Sequence, residues 1–532
     1  MSAFAARLPE PTVARQAGGI VLLSGIVLAA LTEAIAGTAL TLGRSDLIGD
    51  THATPDEFAW LDISYTFMKF IGFLLAPWVV GRVSPRNAAI SATLVMGGAC
   101  GISGLTADLD LLVVLRCLQG FAGGVLLVAG QAALFLAQPA ARQPLLQAVF
   151  AMGSVVAPAT LAPALQGWMI DTQSWEWMFL AVAPLSMAAA SVLLLVDDRH
   201  MSRVPRRTFD ATGLMLVSIG LFCITYVLSQ GNRWDWFESK RIIVMTAVGM
   251  ASLLAFVWHQ RHRSRTGLVD VTVFGSEDFC FAFAVSFVAG AALFGSAYLI
   301  PSFAVAVLGF TPTEAGLLLL PSGAVFVATL LLAAYLMQAR QVPPVATVPF
   351  GILAIMVAMW MLSGSTSQSG SDDMMLSLLL RGFGLGLLFL SITLIAFNGL
   401  APRTLTTGIG LFNTGRQLGG LMGVAGLQTF IEHGIATNAS LLNAHLMPGS
   451  PVLVERLAQT STALISRGMD AAPASRLAFA LLQRSLTGQS TVIAFDSAFT
   501  AIALLFVAAA PFLVTFKIVL HAKHGKSIEL PS

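Results

Sequence analysis

The feature that most constrains this chain is a succession of apolar runs, each about as long as the hydrocarbon core of a bilayer is thick. A core of about 30 Å needs about 20 apolar residues per helix. Runs near that length occupy 18–42, 58–81, 87–107, 109–137, 143–170 and 175–196. Others follow at 211–230 and 241–259, then at 279–308, 314–338, 345–363, 374–397, 406–431 and 493–521. The expectation is an all-α polytopic membrane protein with fourteen transmembrane helices. Composition agrees, because 56% of residues are hydrophobic and 11% charged, against roughly 25% charged in a soluble domain. So little polar surface cannot enclose this apolar mass in water.

Lys and Arg in short loops set orientation. One set of loops carries Arg7, Arg15, Arg82, Arg86, Arg142, Arg199, Arg203, Arg206, Arg207, Arg261, Arg263, Arg265, Arg340, Arg403 and Lys517. The opposite set holds Arg44, Arg233, Lys240 and Arg241 and is rich in acids, among them Asp46, Asp50, Asp108, Asp110 and Asp171. The first side is expected to be cytoplasmic, with both termini there. The first apolar run exceeds twenty residues, longer than a signal-peptide core, so it reads as a retained span and not a signal peptide. The long connection 432–492 then faces outward. Its Leu453, Leu457, Leu464 and Leu477, Leu481 spacing predicts a helical hairpin turning at Gly468 to Pro473.

Other classes are excluded by what the chain lacks. The net charge is +2 and its basic residues are dispersed, so the cationic face that nucleic-acid binding requires is missing. Cys100, Cys117, Cys223 and Cys280 lie in or beside apolar runs without a CxxC pair, which argues against disulfides and metal sites. Gly525-Lys526-Ser527 has Leu520 where a phosphate-binding loop needs its first glycine. The HExxH and GxSxG motifs are absent, so neither ATP-driven pumping nor enzyme chemistry is expected.

The fourth and twelfth runs look like copies. LLVVLRCLQGFAGGVLL from Leu111 and LSLLLRGFGLGLLFLS from Leu376 each place one Arg about a third of the way in, followed by closely spaced glycines. Their offset of eight runs predicts two six-helix halves, 1–198 and 279–532, separated by an inserted pair within 199–278. Parallel six-helix halves are the pattern of the major facilitator fold.

Several stretches carry a closer likeness. They are LTEAIAGTAL at 31–40, GRVSPRNAAI at 81–90 with Arg82 and Arg86, the RxxQG element Arg116, Gln119 and Gly120, and APALQGWMIDTQSWEWMF at 162–179. GFTPTEAGLLLLPSG at 309–323 and FNTGRQLGGLMG at 412–423 add to them. Together they resemble the fourteen-helix drug:proton antiporters of the major facilitator superfamily, the EmrB/QacA type, across essentially the whole chain. Departures are Ala162 and Gln166 where the antiporter segment has glycine, and Ser84-Pro85 in the cytoplasmic loop.

The resemblance implies proton-coupled efflux of small amphipathic compounds or drugs across the cell inner membrane, driven by the proton gradient with no cofactor. The same fold also serves uptake symporters and metabolite or siderophore exporters. Membrane lipids and a small-molecule substrate are the implied partners, together with a periplasmic membrane-fusion adaptor and an outer-membrane channel docking on the 432–492 hairpin.

An ionised group at mid-bilayer costs roughly 2.5 to 3.5 kcal/mol, so each one demands a partner or a task. The set is Glu33, Asp62, Lys69, Arg116, Arg381 and Arg416, with Asp496 near a helix end; all histidines fall in loops or at helix ends. A carboxylate is therefore the expected proton carrier. Glu33 with Arg116 is assigned to proton coupling, Asp62 being the other candidate acid. The alternative is a permanent Glu33–Arg116 or Asp62–Lys69 pair that fixes packing. Lys69, Gln119, Arg381, Asn413 and Arg416 are expected at the substrate cavity. Gly120, Pro158, Pro163, Gly167, Arg82 and Arg86 are expected to serve conformational change, by close helix approach and by freed backbone carbonyls.

Overall fold

The computed structural model describes residues 12–40, 43–196, 208–262, 268–444 and 451–528, and all its regular structure is helical. The expected cytoplasmic residues Arg7, Arg199, Arg203, Arg206, Arg207, Arg263 and Arg265 lie outside the described residues.

The first group of helices comprises α1 (Thr12–Thr38), α2 (Arg44–Thr51), α3 (Pro55–Val83), α4 (Pro85–Ser103) and α5 (Leu109–Ala137), then α6 (Gln143–Ala151), α7 (Ala162–Thr172), α8 (Glu176–Leu180) and α9 (Val182–Leu194). Next come α10 (Ala211–Gln230) and α11 (Lys240–His262). The remainder are α12 (Glu277–Ala306), α13 (Pro312–Leu317), α14 (Leu320–Ala339), α15 (Pro344–Leu362), α16 (Ser371–Phe397), α17 (Pro402–Ala444), α18 (Pro451–Ile465) and α19 (Ala471–Ile528).

Twelve of the described helical segments are long and apolar enough to cross a membrane, not the fourteen expected. The two expected spans that fall short are 87–107 and 406–431. Both are helical, as α4 and the first part of α17. Helix α4 has only 19 residues and opens on Arg86 and Asn87, and the other is diluted by Asn413, Arg416, Gln417 and paired glycines. Helix α4 packs on α5 and α9 and turns Leu94, Val95 and Ile102 outward, whereas α17 is packed among α3, α12 and α19 and so needs less apolar surface toward lipid.

The chain signals its helix starts twice with the same four-residue pattern. Thr54-Pro55-Asp56-Glu57 and Thr311-Pro312-Thr313-Glu314 each form a capping box, with Thr accepting from the Glu N–H and Glu accepting from the Thr N–H. The first box fixes where α3 begins, and hence which of its residues face inward. At the other end of α3, Ser84 has φ 94, a left-handed conformation that a non-glycine residue adopts at a cost. Arg86, two residues on, donates from Nε and Nη2 to the terminal carbonyls of α9 at Leu193 and Leu194, each at 2.8 Å. A cation at a helix C-terminus also complements its dipole. Arg82 lies over the Trp78 ring at 4.1 Å.

Helix five of the sequence reading is not one regular helix. Between α6 and α7 the segment Met152–Leu161 is a π-helix containing Pro158, and the Ala162 N–H reaches the Ala157 carbonyl. Such wide turns are frequent at functional sites, and this one borders the central cavity described below.

Helices α1 to α9 pack among themselves, as do α12 to α17 with α19, while α10 and α11 form a pair set against α3 and α17. The two large groups meet along α7–α13, α6–α14, α6–α16, α3–α17 and α5–α17. The α7–α13 meeting is backbone against backbone. A Cβ on Gly167 would lie 2.5 Å from the Pro312 carbonyl oxygen, and one on Gly316 would lie 2.7 Å from that of Pro163. Asp171 of α7 also accepts hydrogen bonds from the Thr313 N–H and hydroxyl in the first turn of α13.

The described residues of 432–492 are the end of α17, then α18, and the start of α19 after a turn at which Gly468 has φ 94. Helix α18 packs on α19, which continues unbroken into the last apolar stretch.

Candidate functional site

Asp62, Tyr65 and Lys69 are spaced three and four apart on α3, so one helix face presents all three. Opposite them on α1 stands Glu33, 2% exposed. The Lys69 Nζ lies 2.5 Å from Glu33 Oε1, and the Tyr65 hydroxyl donates to the same oxygen at 2.9 Å. A buried carboxylate thus meets one ammonium and one phenol.

This pairing corrects both alternatives read from the sequence. Glu33 pairs with Lys69 and not with Arg116, and Asp62 stands near Arg116 and not Lys69. Arg116 is 1% exposed. Its Nη1 donates to the Ala36 carbonyl at 2.8 Å and to Gln119 Oε1 at 3.0 Å, and its Nε donates to the Leu61 carbonyl at 3.4 Å. Its Nη2 approaches Asp62 Oδ1 only to 3.9 Å, an ion-pair distance too long for a hydrogen bond. The guanidinium lies 4.2 Å from the Tyr65 ring centroid. Tyr65 therefore touches both ion pairs, donating to Glu33 and lying against Arg116. Gln119 in turn donates to Ser103 at 2.9 Å, so the position of Arg116 is set by three helices and not by one carboxylate.

Close approach of α5 to α3 makes this possible. A Cβ on Gly120 would sit 2.1 Å from the Tyr65 carbonyl oxygen, so only glycine lets the two helices lie at this separation.

Glu33, Asp62, Tyr65 and Lys69 line a central cavity of about 350 Å³. Pro158 and Pro163 border it from the π-helix and α7, Tyr298 from α12 and Arg416 from α17. A second chamber of about 510 Å³ shares Arg44, Asp62, Thr66, Phe294 and Gln417 with it and lies where α1 ends and α3 begins. At the other end of the bundle Phe397 closes the interior, with ring centroids 5.6 Å from Phe135 and 5.0 Å from Phe412.

The remaining expected cavity residues divide. Arg416 lines the cavity, and its Nη2 donates to Asn413 Oδ1 at 2.5 Å. Asn413 is 4% exposed and donates back to the Ile409 carbonyl, so it positions Arg416 from behind. Arg381 is wholly buried, donating to Ser296 and Ser322 hydroxyls at 2.8 and 3.4 Å; it lies behind the cavity wall. Gln166, the departure in the antiporter-like segment, donates to the Ile35 carbonyl and to Thr38 Oγ1, tying α7 to the end of α1. Tyr65 and Arg44 were missed by the sequence reading. The signal for Tyr65 was its position between Asp62 and Lys69 on one helix face.

A bundle of apolar helices around a charged cavity, open toward one end and closed at the other, defines a multi-pass membrane transporter. The sequence profile of the Major Facilitator Superfamily matches residues 22–424, and the chain belongs to that superfamily. Among its relatives, the Multidrug export protein EmrB of Haemophilus influenzae is 25% identical over 440 residues, 82% of this chain and 85% of the relative. The Escherichia coli protein of the same name is 25% identical over 435 residues, covering 81% and 84%. The Fatty acid resistance protein FarB of Neisseria gonorrhoeae is 25% identical over 502 residues, covering 94% and 96%. The resemblance to the EmrB/QacA type stands on these matches as well as on the motifs.

Proposed function

We propose that the protein is a proton-coupled antiporter that exports small amphipathic compounds across the cell inner membrane. In this reading fourteen helices cross the bilayer with both termini cytoplasmic. Residues 1–198 and 279–532 are two six-helix halves, and α10 and α11 are an insertion between them. The relatives named as multidrug export and fatty acid resistance proteins support the direction of transport and the amphipathic substrate class.

The observation that carries the coupling is the buried carboxylate of Glu33, shared by Lys69 and Tyr65 at the wall of the cavity. Charge inside the bilayer is tolerated when paired. A proton arriving at Glu33 removes the negative charge that holds Lys69, and loss of that proton restores it. A substrate that donates to the Glu33 oxygens competes with the proton for the same atoms. Proton and substrate are then carried in alternation, which is what antiport requires. Arg416 and Arg44, facing the same cavity, supply donors for polar groups of the substrate, and the surrounding Phe73, Leu293 and Phe294 supply apolar surface. The extension formed by α18 and the start of α19 is the docking surface for a periplasmic adaptor and, through it, an outer-membrane channel.

The test is transport of a fluorescent dye such as ethidium in proteoliposomes under an imposed proton gradient, comparing wild type with Glu33→Gln. Glu33→Gln is expected to abolish gradient-driven accumulation while the protein still inserts and folds. Undiminished gradient-driven transport by that variant would overturn the assignment.

A further inference from the structure

The inserted pair is joined to the two halves by two different kinds of contact. Toward α3 the contact is apolar and interlocked. Trp60 stacks on Phe222 with centroids 6.2 Å apart and packs on Tyr226 at 5.8 Å, and Phe67 meets Phe222 edge-on at 5.4 Å. Ile63, Tyr226, Val227 and Ile242 are buried together. At the other end of α3, Trp78 packs on Phe209 at 5.3 Å. Burial of this kind is non-directional and proportional to area, so the joint has no reason to part while the bundle moves.

Toward α17 the packing of α10 is sparser than toward α3, and the specific contacts are hydrogen bonds from the loop 231–239. Asn232 Nδ2 donates to Glu432 Oε2 at 2.5 Å, and Trp236 Nε1 donates to Thr429 Oγ1 at 3.0 Å. Arg233 meanwhile reaches back to Asp56 at the start of α3, Nε to Oδ1 2.8 Å. Leu228, Ser229, Gln230, Asn232 and Arg233 together form one wall of the chamber between α3 and α17. The loop is also strained, since Asp235 and Trp236 have φ 49 and 50 in succession. Non-glycine residues persist in that region only where their surroundings hold them. Here the Trp236 N–H bonded to the Gly231 carbonyl at 2.7 Å and the indole bonded to Thr429 do so.

We propose that α10 and α11 form a clasp carried by α3. It walls the chamber sideways and grips α17 while the chamber is open, and it lets go of α17 when the two halves rock to close that end. The apolar joint to α3 stays; the hydrogen bonds to Glu432 and Thr429 break and re-form in each cycle. The clasp rests on the alternating-access transport proposed above, and its test keeps the two separable.

Spin labels are placed in pairs on a cysteine-free background at three exposed positions: Gly49 on α2, in the same half as α3, Glu238 in the clasp and Ala436 on α17. Distances are measured in proteoliposomes before and after acidification. The Gly49–Ala436 distance reports motion of the halves. The expected result is that Glu238–Ala436 acquires a second distance in step with Gly49–Ala436, while Glu238–Gly49 keeps one. Trp236→Phe, which removes the donor but keeps a ring, is expected to enrich that second Glu238–Ala436 distance and leave Glu238–Gly49 unchanged. Glu238 following Ala436 and departing from Gly49 would overturn the clasp while leaving alternating access intact. A fixed Gly49–Ala436 distance would remove alternating access itself, and the clasp with it.

Discussion

Lys69 and Glu33 can be weighed against each other as a pair and singly. A buried ion pair that loses one member leaves an uncompensated charge, which costs about 3 to 5 kcal/mol, whereas removing both members together costs much less. Lys69→Met is therefore expected to lower the midpoint of thermal unfolding in detergent more than the Glu33→Gln, Lys69→Met double variant does. Additive losses in that cycle would mean that the 2.5 Å contact contributes no coupling. Asp210, outside the membrane-crossing segments, behaves differently. Burial pushes its carboxyl up, but donors from Gly213, His259 and Leu268 outweigh burial and hold it below the ordinary carboxylate range. A carboxyl depressed on folding contributes stability above its unfolded pKa and loses it as pH falls through the folded value. Asp210→Asn is thus expected to lower thermal stability near neutral pH and to flatten its decline on acidification, measured as unfolding midpoint against pH. An unchanged acid limb would show that Asp210 does not contribute to it.

At the scale of helices, the decisive quantity is separation. The Gly120 approach brings the α3 backbone at Tyr65 so near α5 that one methyl group, 2.1 Å from the Tyr65 oxygen, must push the helices apart. Gly120→Ala is expected to reduce gradient-driven dye transport several-fold by moving Tyr65 off Glu33, while α3 itself stays folded because its capping box is untouched. Wild-type transport by Gly120→Ala would show that α3 yields without moving Tyr65. The positions of the helices were largely legible beforehand, because apolar length is a local property. The partner of Glu33 was not. Whether α1 turns its carboxylate toward Lys69 or Arg116 depends on the rotation of α1 against α3, and one residue of rotation is about 100°. The π-helix at 152–161 was equally hidden, since Pro158 announces an irregularity but not its kind.

For the whole molecule, the apolar runs and the two Arg-Gly copies made the all-helical membrane architecture and the superfamily readable from the sequence. The count was less secure, because α4 is short and opens on Arg86 and Asn87, and α17 is packed among neighbours and carries Asn413, Arg416 and Gln417. Arg381 shows the same limit at the site. Its match to Arg116 in the repeat suggested a cavity role, yet packing of α12 and α14 places it against Ser296 and Ser322, where no sequence pattern distinguishes lining from burial. The π-helix, by contrast, joins the two scales. It lies where one half meets α14 of the other, and it also walls the cavity.

Helix α17 carries Arg416 at the cavity and continues without a break to Ala444, and a helix of its 43 residues spans about 64 Å at a 1.5 Å rise. On the transport cycle proposed above, it acts as a lever pivoted at the cavity. A tilt of a few degrees there is magnified into a sweep of the far tip, so whatever engages that tip senses the loading state of a cavity it never touches.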